Sequence, residues 1–334
     1  MALLEIRGLS VDIATPAGVV PILEGIDLDL DRGRSLGLVG ESGCGKSMTA
    51  LAVMGLMPRG ARVSGTIRFD GEDLVGMSER ALCNLRGNRI AMVFQEPMTA
   101  LNPVRTIGAQ VAEPLRLHRG LSRAAAEAEA VRLLDRVGLP PARFSPTLYP
   151  QQLSGGQRQR VVIAGAIACG PDLLIADEPT TALDVTIQAQ ILDLLCDLVD
   201  GEGMALMLIT HDLGVVAEAT DDMLVMYAGR VAEAGSTADV FARMAHPYTR
   251  GLFSAIPQAA GAARNTGGVH TRLPTIPGVV PDPTARPPGC TFADRCPRVQ
   301  DDCRNLRPPL VPVGTGHRVA CLHPHAAQAT EVPR

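Results

Sequence analysis

The chain reads as an α/β protein built around a parallel sheet, and three observations carry that reading. Short apolar runs, "SLGLV" (35–39), "DLLIA" (172–176), "ALMLI" (205–209) and "MLVMY" (223–227), alternate with segments of helical period such as 185–199. Strands that are apolar at nearly every position suit a sheet covered on both faces, and strand–helix alternation is what builds one. Third, "GESGCGKS" (40–47) is a glycine turn set between "SLGLV" and the helical "KSMTALAVMGLM". That is the setting in which such a loop cradles phosphate.

The remaining elements follow in order. Residues 1–35 alternate short apolar stretches with turns ("LLEIRGLSVDI", "GIDLDLDRG"), as antiparallel strands do. "GTIRFDGEDL" (65–74) reads as a hairpin turning at Asp70-Gly71, and "RIAMVF" (89–94) as a further strand. From about 96 to 158 the period lengthens into a helical insert. Pro97, Pro103 and Pro114 punctuate its approach, and "SRAAAEAEAVRLLDRVGL" (122–139) forms a helix with Ser122 as N-cap. Near 246 the character changes. The rest is proline-rich, has little periodicity and holds four of the eight cysteines. The expected organisation is a domain over 1–245, with its helical subdomain at about 96–158, and a loop-built extension over 246–334.

Composition excludes several classes. A length of 334 residues suits about two domains at ~100–200 residues each. Lys and Arg number 31 against 35 Asp and Glu, so no basic footprint points to nucleic acid as a partner. "MALLEIRGLS" meets Glu5 and Arg7 before any apolar signal core can form. The greasiest run, "VVIAGAIACGPDLLIA", is broken at Gly170-Pro171-Asp172, short of the ~20 residues a spanning helix needs. A cytoplasmic chain with reduced cysteines is expected, so clustered cysteines suggest a metal before disulfides.

The chemistry begins at the glycine loop. Its backbone N–H groups and the following helix N-terminus converge on a nucleotide phosphate. Gly40, Glu41, Ser42, Gly43, Cys44, Gly45, Lys46, Ser47 and Met48 form the expected nucleotide-binding set. Lys46 supplies a cation and the Ser47 hydroxyl a hard ligand for Mg²⁺. "LLIADE" (173–178) ends a strand on two carboxylates. Asp177 suits the magnesium shell and Glu178 the polarising of an attacking water. Gln95 closes "AMVFQ" and His211 lies in "LITHD". Both sit at strand C-terminal edges, where α/β sheets bind ligands. Gln95 could ligate magnesium and orient water.

"LSGGQRQR" (153–160) is a second glycine turn opening a helix. Two readings fit it: an ordinary serine-capped helix, or an anion site lent to another molecule. Likewise Cys290, Cys296, Cys303 and Cys321, spaced by five, six and seventeen residues, suit a closed site for Zn²⁺ or a [4Fe–4S] cluster without choosing between them. Cys44, Cys83, Cys169 and Cys196 are scattered and read as small apolar fillers.

In order and spacing, "GESGCGKS", Gln95, "LSGGQ", "LLIADE", "TALD" and "THD" resemble the ATP-binding cassette (ABC) ATPases over roughly 1–235. The resemblance implies a P-loop, RecA-like nucleotide-binding domain with antiparallel and helical subdomains, plus a small irregular C-terminal extension. It implies ATP and Mg²⁺ held between head-to-tail cassettes, each ATP gripped by one chain's phosphate loop and the other's signature. Ser154, Gly155, Gly156 and Gln157 would then meet the partner's nucleotide and Asp184 would cross the interface. Glu178 would be the catalytic base and His211 a γ-phosphate ligand. Adenine-stacking aromatics are missing from "ATPAGVVPILEG", which offers only Val19, Val20 and Ile22.

"HPYTRGLFSAIP" (246–257) and "LPTIPGVVPDPTARPPGCTFADRCP" are similar to the C-terminal extension of the oligopeptide/dipeptide importer ATPases. That likeness implies a peripheral subunit on the cytoplasmic face of the inner or plasma membrane, powering uptake of peptides or of small solutes such as nickel complexes. The implied partners are a second, different cassette, two transmembrane permeases docking near "EPMTALNP", and an extracytoplasmic substrate-binding protein. It also implies a [4Fe–4S] cluster on the four tail cysteines, with Zn²⁺ as the alternative. A soluble ABC ATPase of DNA repair or translation would instead show tandem cassettes, a long coiled coil or a basic surface.

Overall fold

In this computed structural model the structure describes residues 2–16, 18–95, 97–181, 183–255 and 275–326, with only the backbone of Pro97 and Met98. Glu96 of the expected docking segment, Ala182 of "TALD", and the stretches 256–274 and 327–334 of the extension lie outside the described residues.

The strands are β1 (Leu4–Thr15), β2 (Gly18–Leu30), β3 (Ser35–Val39), β4 (Ala61–Phe69), β5 (Glu72–Asp73), β6 (Ile90–Val93), β7 (Leu173–Asp177), β8 (Ala205–Thr210), β9 (Asp222–Tyr227), β10 (Arg230–Ser236), β11 (Val311–Gly314) and β12 (His317–Val319). The helices are α1 (Lys46–Met54), α2 (Glu79–Leu85), α3 (Pro97–Ala100), α4 (Ile107–His118), α5 (Arg123–Arg136), α6 (Gly155–Ile167), α7 (Val185–Glu202), α8 (Leu213–Ala219), α9 (Thr237–Arg243), α10 (Pro247–Ser254) and a short α11 (Asp301–Asn305). Among the described residues no helix is long and apolar enough to cross a membrane.

The chain divides into two compact units that do not follow the change of sequence character at 246. The first comprises Met1–Leu3, Leu30–Ser35 and Gly76–Ile209. Its β6, β7 and β8 run parallel, in register from Ile90 opposite Leu173 and from Leu173 opposite Ala205. Every residue of β7 and β8 is buried, as strands covered on both faces require. Helices α4, α5 and α6 pack together beside them. The Ser122 hydroxyl caps α5, accepting from the Ala125 N–H at 3.3 Å. Pro114, expected before a helix, lies inside α4. The helix continues through it and forgoes one backbone hydrogen bond.

The second unit comprises Leu4–Asp29, Leu36–Val75 and Thr210–Arg334. One sheet runs β2-β1-β4-β5, with Leu4 opposite Phe69 in the antiparallel β1–β4 pair. Asp70 and Gly71 turn at φ of 51° and 84°, the positive pair that matches strand twist in a tight hairpin. Elsewhere β3 lies parallel to β9, which pairs antiparallel with β10. The extension contributes more regular structure than its composition suggests. Its β11–β12 hairpin adds to the sheet edge, Glu233 of β10 standing opposite Val319 of β12. Glu233 is fully buried and accepts from the Ala245 and His246 N–H groups at 2.7 and 2.9 Å, and it pairs with His317 at 2.8 Å. Burial pushes its carboxyl pKa up, but the hydrogen bonds outweigh this and hold it below the usual value. Tyr248 and Phe292 of the extension share one apolar cluster with Val39, Val225 and Tyr227.

Candidate nucleotide and cysteine sites

The sequence-predicted residues fall in both units. In the second, β3 releases directly into the phosphate loop at Gly40, whose φ is 151°. A Cβ there would fall on the Met226 carbonyl and the Cys44 sulfur, so only glycine lets the loop leave the strand this closely. Ser42 and Gly43 are exposed, whereas Cys44 is buried and its Sγ accepts from Lys46 Nζ at 3.8 Å. Lys46 is 6% exposed and donates from Nζ to the Gly40 and Glu41 carbonyls at 2.7 and 3.1 Å.

Glu41 is held at two points by residues that sequence reading missed. Its N–H donates to the Tyr248 hydroxyl at 2.8 Å, and its carboxylate takes a two-pronged ion pair from Arg295 at 2.6 and 2.9 Å. These partners lie 207 and 254 residues away, so no local pattern announces them. Hydrogen bonding to Glu41 raises the Arg295 pKa above the ordinary guanidinium value despite partial burial.

In the first unit the ends of β6 and β7 meet. The β6–β7 register sets Val93 opposite Ala176. Two residues beyond Val93, the Gln95 Nε2 donates to Glu178 Oε2 at 3.0 Å, and the same oxygen accepts from the Thr181 hydroxyl at 2.8 Å. Glu178 takes φ of 46° while its N–H donates to the Ile209 carbonyl at 2.8 Å. A left-handed glutamate is strained, and the strain aims its side chain off the strand direction. Asp177, the last residue of β7, is buried. His211 follows β8 and is exposed.

Ser154 caps α6. Its hydroxyl accepts from the Gln157 N–H at 3.4 Å, and the Gln157 side chain accepts from the Ser154 N–H at 2.9 Å. This reciprocal box fixes the helix start. It leaves Ser154 and Gly155 exposed while Gly156 is buried, where a Cβ would stand 2.5 Å from an Ile187 methyl. Asp184 caps α7 by accepting from the Ile187 N–H at 3.0 Å, and the neighbouring Val185 is 83% exposed. At the start of β2, Val19 is 62% exposed and Val20 buried.

The four tail cysteines share the wall of one cavity. Cys290, Cys296, Cys303 and Cys321 line a cavity of about 20 Å³, with His246 and His323 also on its wall. The Cys290 N–H donates to the Cys303 carbonyl at 2.8 Å, tying two of the loops. Burial pushes the Cys290 pKa up against a backbone hydrogen bond from Phe292, with Cys303 and Cys296 adding to the rise, and burial drives Cys321 to about 11. Four thiols on the wall of one cavity suit a soft metal ion or cluster, although the ligand atoms that lie within 4.8 Å of one another there are those of Asp302, Cys303 and His323. Beside them His323 Nε2 lies 2.9 Å from both Asp302 carboxylate oxygens. Of the scattered cysteines, Cys44 and Cys169 are buried as fillers, but Cys83 is exposed.

A phosphate loop at the end of a buried strand, a strained carboxylate ending another and a capped glycine helix start define the class: a P-loop ATPase of the cassette type. Comparison places it further. The ABC transporter family model matches residues 23–181, and that for the oligopeptide/dipeptide transporter C-terminal region matches 232–303. The chain is 48% identical over 321 residues to the probable peptide ABC transporter ATP-binding protein y4tR of Sinorhizobium fredii, covering 96% of this chain and 94% of that protein. It is 47% identical over 322 residues to the oligopeptide transport ATP-binding protein OppD of Salmonella typhimurium, with the same coverage. Among solved structures, the dimeric ATP-binding cassette MJ0796, in a post-hydrolysis state bound to ADP and Pi, matches with a TM-score of 0.63 at 27% identity, over 70% of this chain and 98% of that one. The chain belongs to the ATP-binding proteins of the ABC transporter family.

Proposed function

We propose that this chain binds and hydrolyses ATP as the motor subunit of an ABC importer for dipeptides or oligopeptides. The observation that carries the reading is the 47% identity to OppD across 96% of the chain, extension included. The residues support a division of labour. Lys46 and the loop N–H groups would neutralise phosphate charge, and Ser47, Gln95 and Asp177 would hold Mg²⁺. Glu178 takes a proton from the attacking water, which Gln95 orients, and His211 contacts the γ-phosphate. Ser154, Gly155, Gly156 and Gln157 complete the site of a second cassette, with Asp184 at the shared interface.

The partners are two transmembrane permeases, a second and different cassette, and an extracytoplasmic binding protein, with this chain peripheral on the cytoplasmic membrane face. Cys290, Cys296, Cys303 and Cys321 would hold a [4Fe–4S] cluster, which supplies a cross-link for an extension that has little core of its own. The test is to co-express the chain with its permeases and second cassette, purify the assembly and measure ATP hydrolysis with and without peptide-loaded binding protein. Stimulation by peptide supports the reading. Stimulation only by nickel complexes, or co-purification with nucleic acid instead of permeases, overturns it.

A further inference from the structure

We propose that Arg295 and Tyr248 are positioning residues for the phosphate loop, so that the extension sets the geometry and charge of the nucleotide site. The inference rests on 40–47 being the loop that binds ATP. Glu41 directly follows Gly40 in that loop, and a bare carboxylate there would oppose an incoming polyphosphate. Arg295 answers it with a bidentate pair, the strongest arrangement a carboxylate can accept. The guanidinium is itself held on the remaining sides. Its Nε donates to the Pro277 carbonyl at 2.8 Å, Nη1 reaches the Tyr227 hydroxyl at 3.4 Å, and its carbon lies 5.8 Å from the Tyr227 ring centre. At 6% exposure it is screened from water, where such a pair acts with more force than on a surface.

Tyr248 fixes the same residue through its backbone. Its hydroxyl accepts the Glu41 N–H, and its ring is fully buried, 4.7 Å from Tyr227 and 5.4 Å from Phe292 between centres. The Glu41 carbonyl in turn accepts from Lys46. Anchoring Glu41 therefore also places a carbonyl that holds the loop's cation. None of these contacts uses the loop's exposed apex, so the clamp prepares the loop from behind.

The experiment uses the full-length chain and measures equilibrium binding of Mg·ATP, with KM and kcat in the assembled transporter. Arg295→Met should weaken ATP binding by about ten-fold, a typical coupling between neighbouring sites, and raise KM with kcat changed much less. Adding Glu41→Gln to the same chain should recover most of the loss, because the unanswered charge is gone. Arg295→Lys keeps a charge without the fork and should fall between. Unchanged ATP affinity in Arg295→Met alongside a lowered unfolding temperature overturns the proposal, as does a loss that Glu41→Gln fails to relieve. Should Arg295→Met not fold, Arg295→Lys with and without Glu41→Gln carries the same test, and unchanged affinity there overturns it too. Lys46→Ala separates the underlying reading: normal ATP binding in that variant would mean that 40–47 is not the phosphate loop, whatever Arg295 does.

Discussion

Gln95 and Glu178 are joined across the ends of two neighbouring parallel strands, amide to carboxylate at 3.0 Å. The glutamate reaches this position through a left-handed backbone, φ 46°, that costs on the order of 1–3 kcal/mol. Helical and extended alternatives are cheaper, so the surrounding fold imposes the conformation: the Glu178 N–H is pinned to the Ile209 carbonyl and its carboxylate to Thr181. Such a held conformation fits the base role proposed for Glu178.

Replacing Glu178 with Gln keeps the size and the acceptor oxygen for Thr181 but removes the basic site. ATP binding should persist while hydrolysis falls by about 10²–10⁴-fold, the worth of a positioned general base. Phosphate release and nucleotide binding on the same preparation check this. Near-normal turnover would remove Glu178 from the base role.

The two glycines at the head of α6 should separate function from stability. A Cβ on Gly155 meets only a Leu183 methyl, at an ordinary 3.6 Å. An aspartate in a helix's first turn is also favoured by the helix dipole. Gly155→Asp should therefore fold normally and bind ATP as an isolated chain, yet lose hydrolysis in the assembly because its charge faces the partner's phosphate. Gly156→Ala drives its methyl into Ile187 at 2.5 Å and should cost about 1–3 kcal/mol of stability by overpacking. Thermal unfolding and ATP titration of both variants decide the matter. A large affinity loss in isolated Gly155→Asp would contradict the shared-site reading.

Much of this was legible in the residues because the determinants are local. "SLGLV" predicts its strand to the residue, Asp70-Gly71 its turn, and Ser122 its helix cap. The β11–β12 hairpin had a local signal too, in the alternating "VPVGTGHRV" with glycines flanking its turn, but the surrounding prolines obscured it. Gln95 and Glu178 could be named from strand ends, whereas their direct bond depends on register between strands more than eighty residues apart. The Arg295–Glu41 pair had no signal at all. An arginine beside a cysteine motif looks like a surface charge until the fold buries it.

The cysteine cavity makes a compositional prediction. Protein purified without chelator or oxidation should carry a metal at one site per chain, and Cys303→Ser, which removes the most buried donor, should abolish it. Iron, sulfide and zinc analysis with visible absorption distinguishes a cluster from zinc. Neither metal at stoichiometric amounts would sink the metal reading.

Acid should destabilise the extension through His246. Burial drives its pKa from 6.5 to about 4, with His325 adding to the shift and Glu233 opposing it. Its Nδ1 accepts the Tyr248 N–H at 3.0 Å and caps α10, a role that needs the unprotonated nitrogen. Between pH 6.5 and 4 the unfolded chain therefore binds a proton that the folded chain refuses. Stability contributed by the neutral ring is complete above pH 6.5, falls as pH drops, and is exhausted near pH 4. The loss amounts to roughly 3 kcal/mol at 1.36 kcal/mol per pKa unit. His246→Asn keeps a capping acceptor without a titrating ring. Denaturant unfolding from pH 7 to 4 should show a shallower decline in that variant than in the parent. Parallel curves would mean that His246 titrates alike in both states, and the acid sensitivity would have to be sought among the carboxylates.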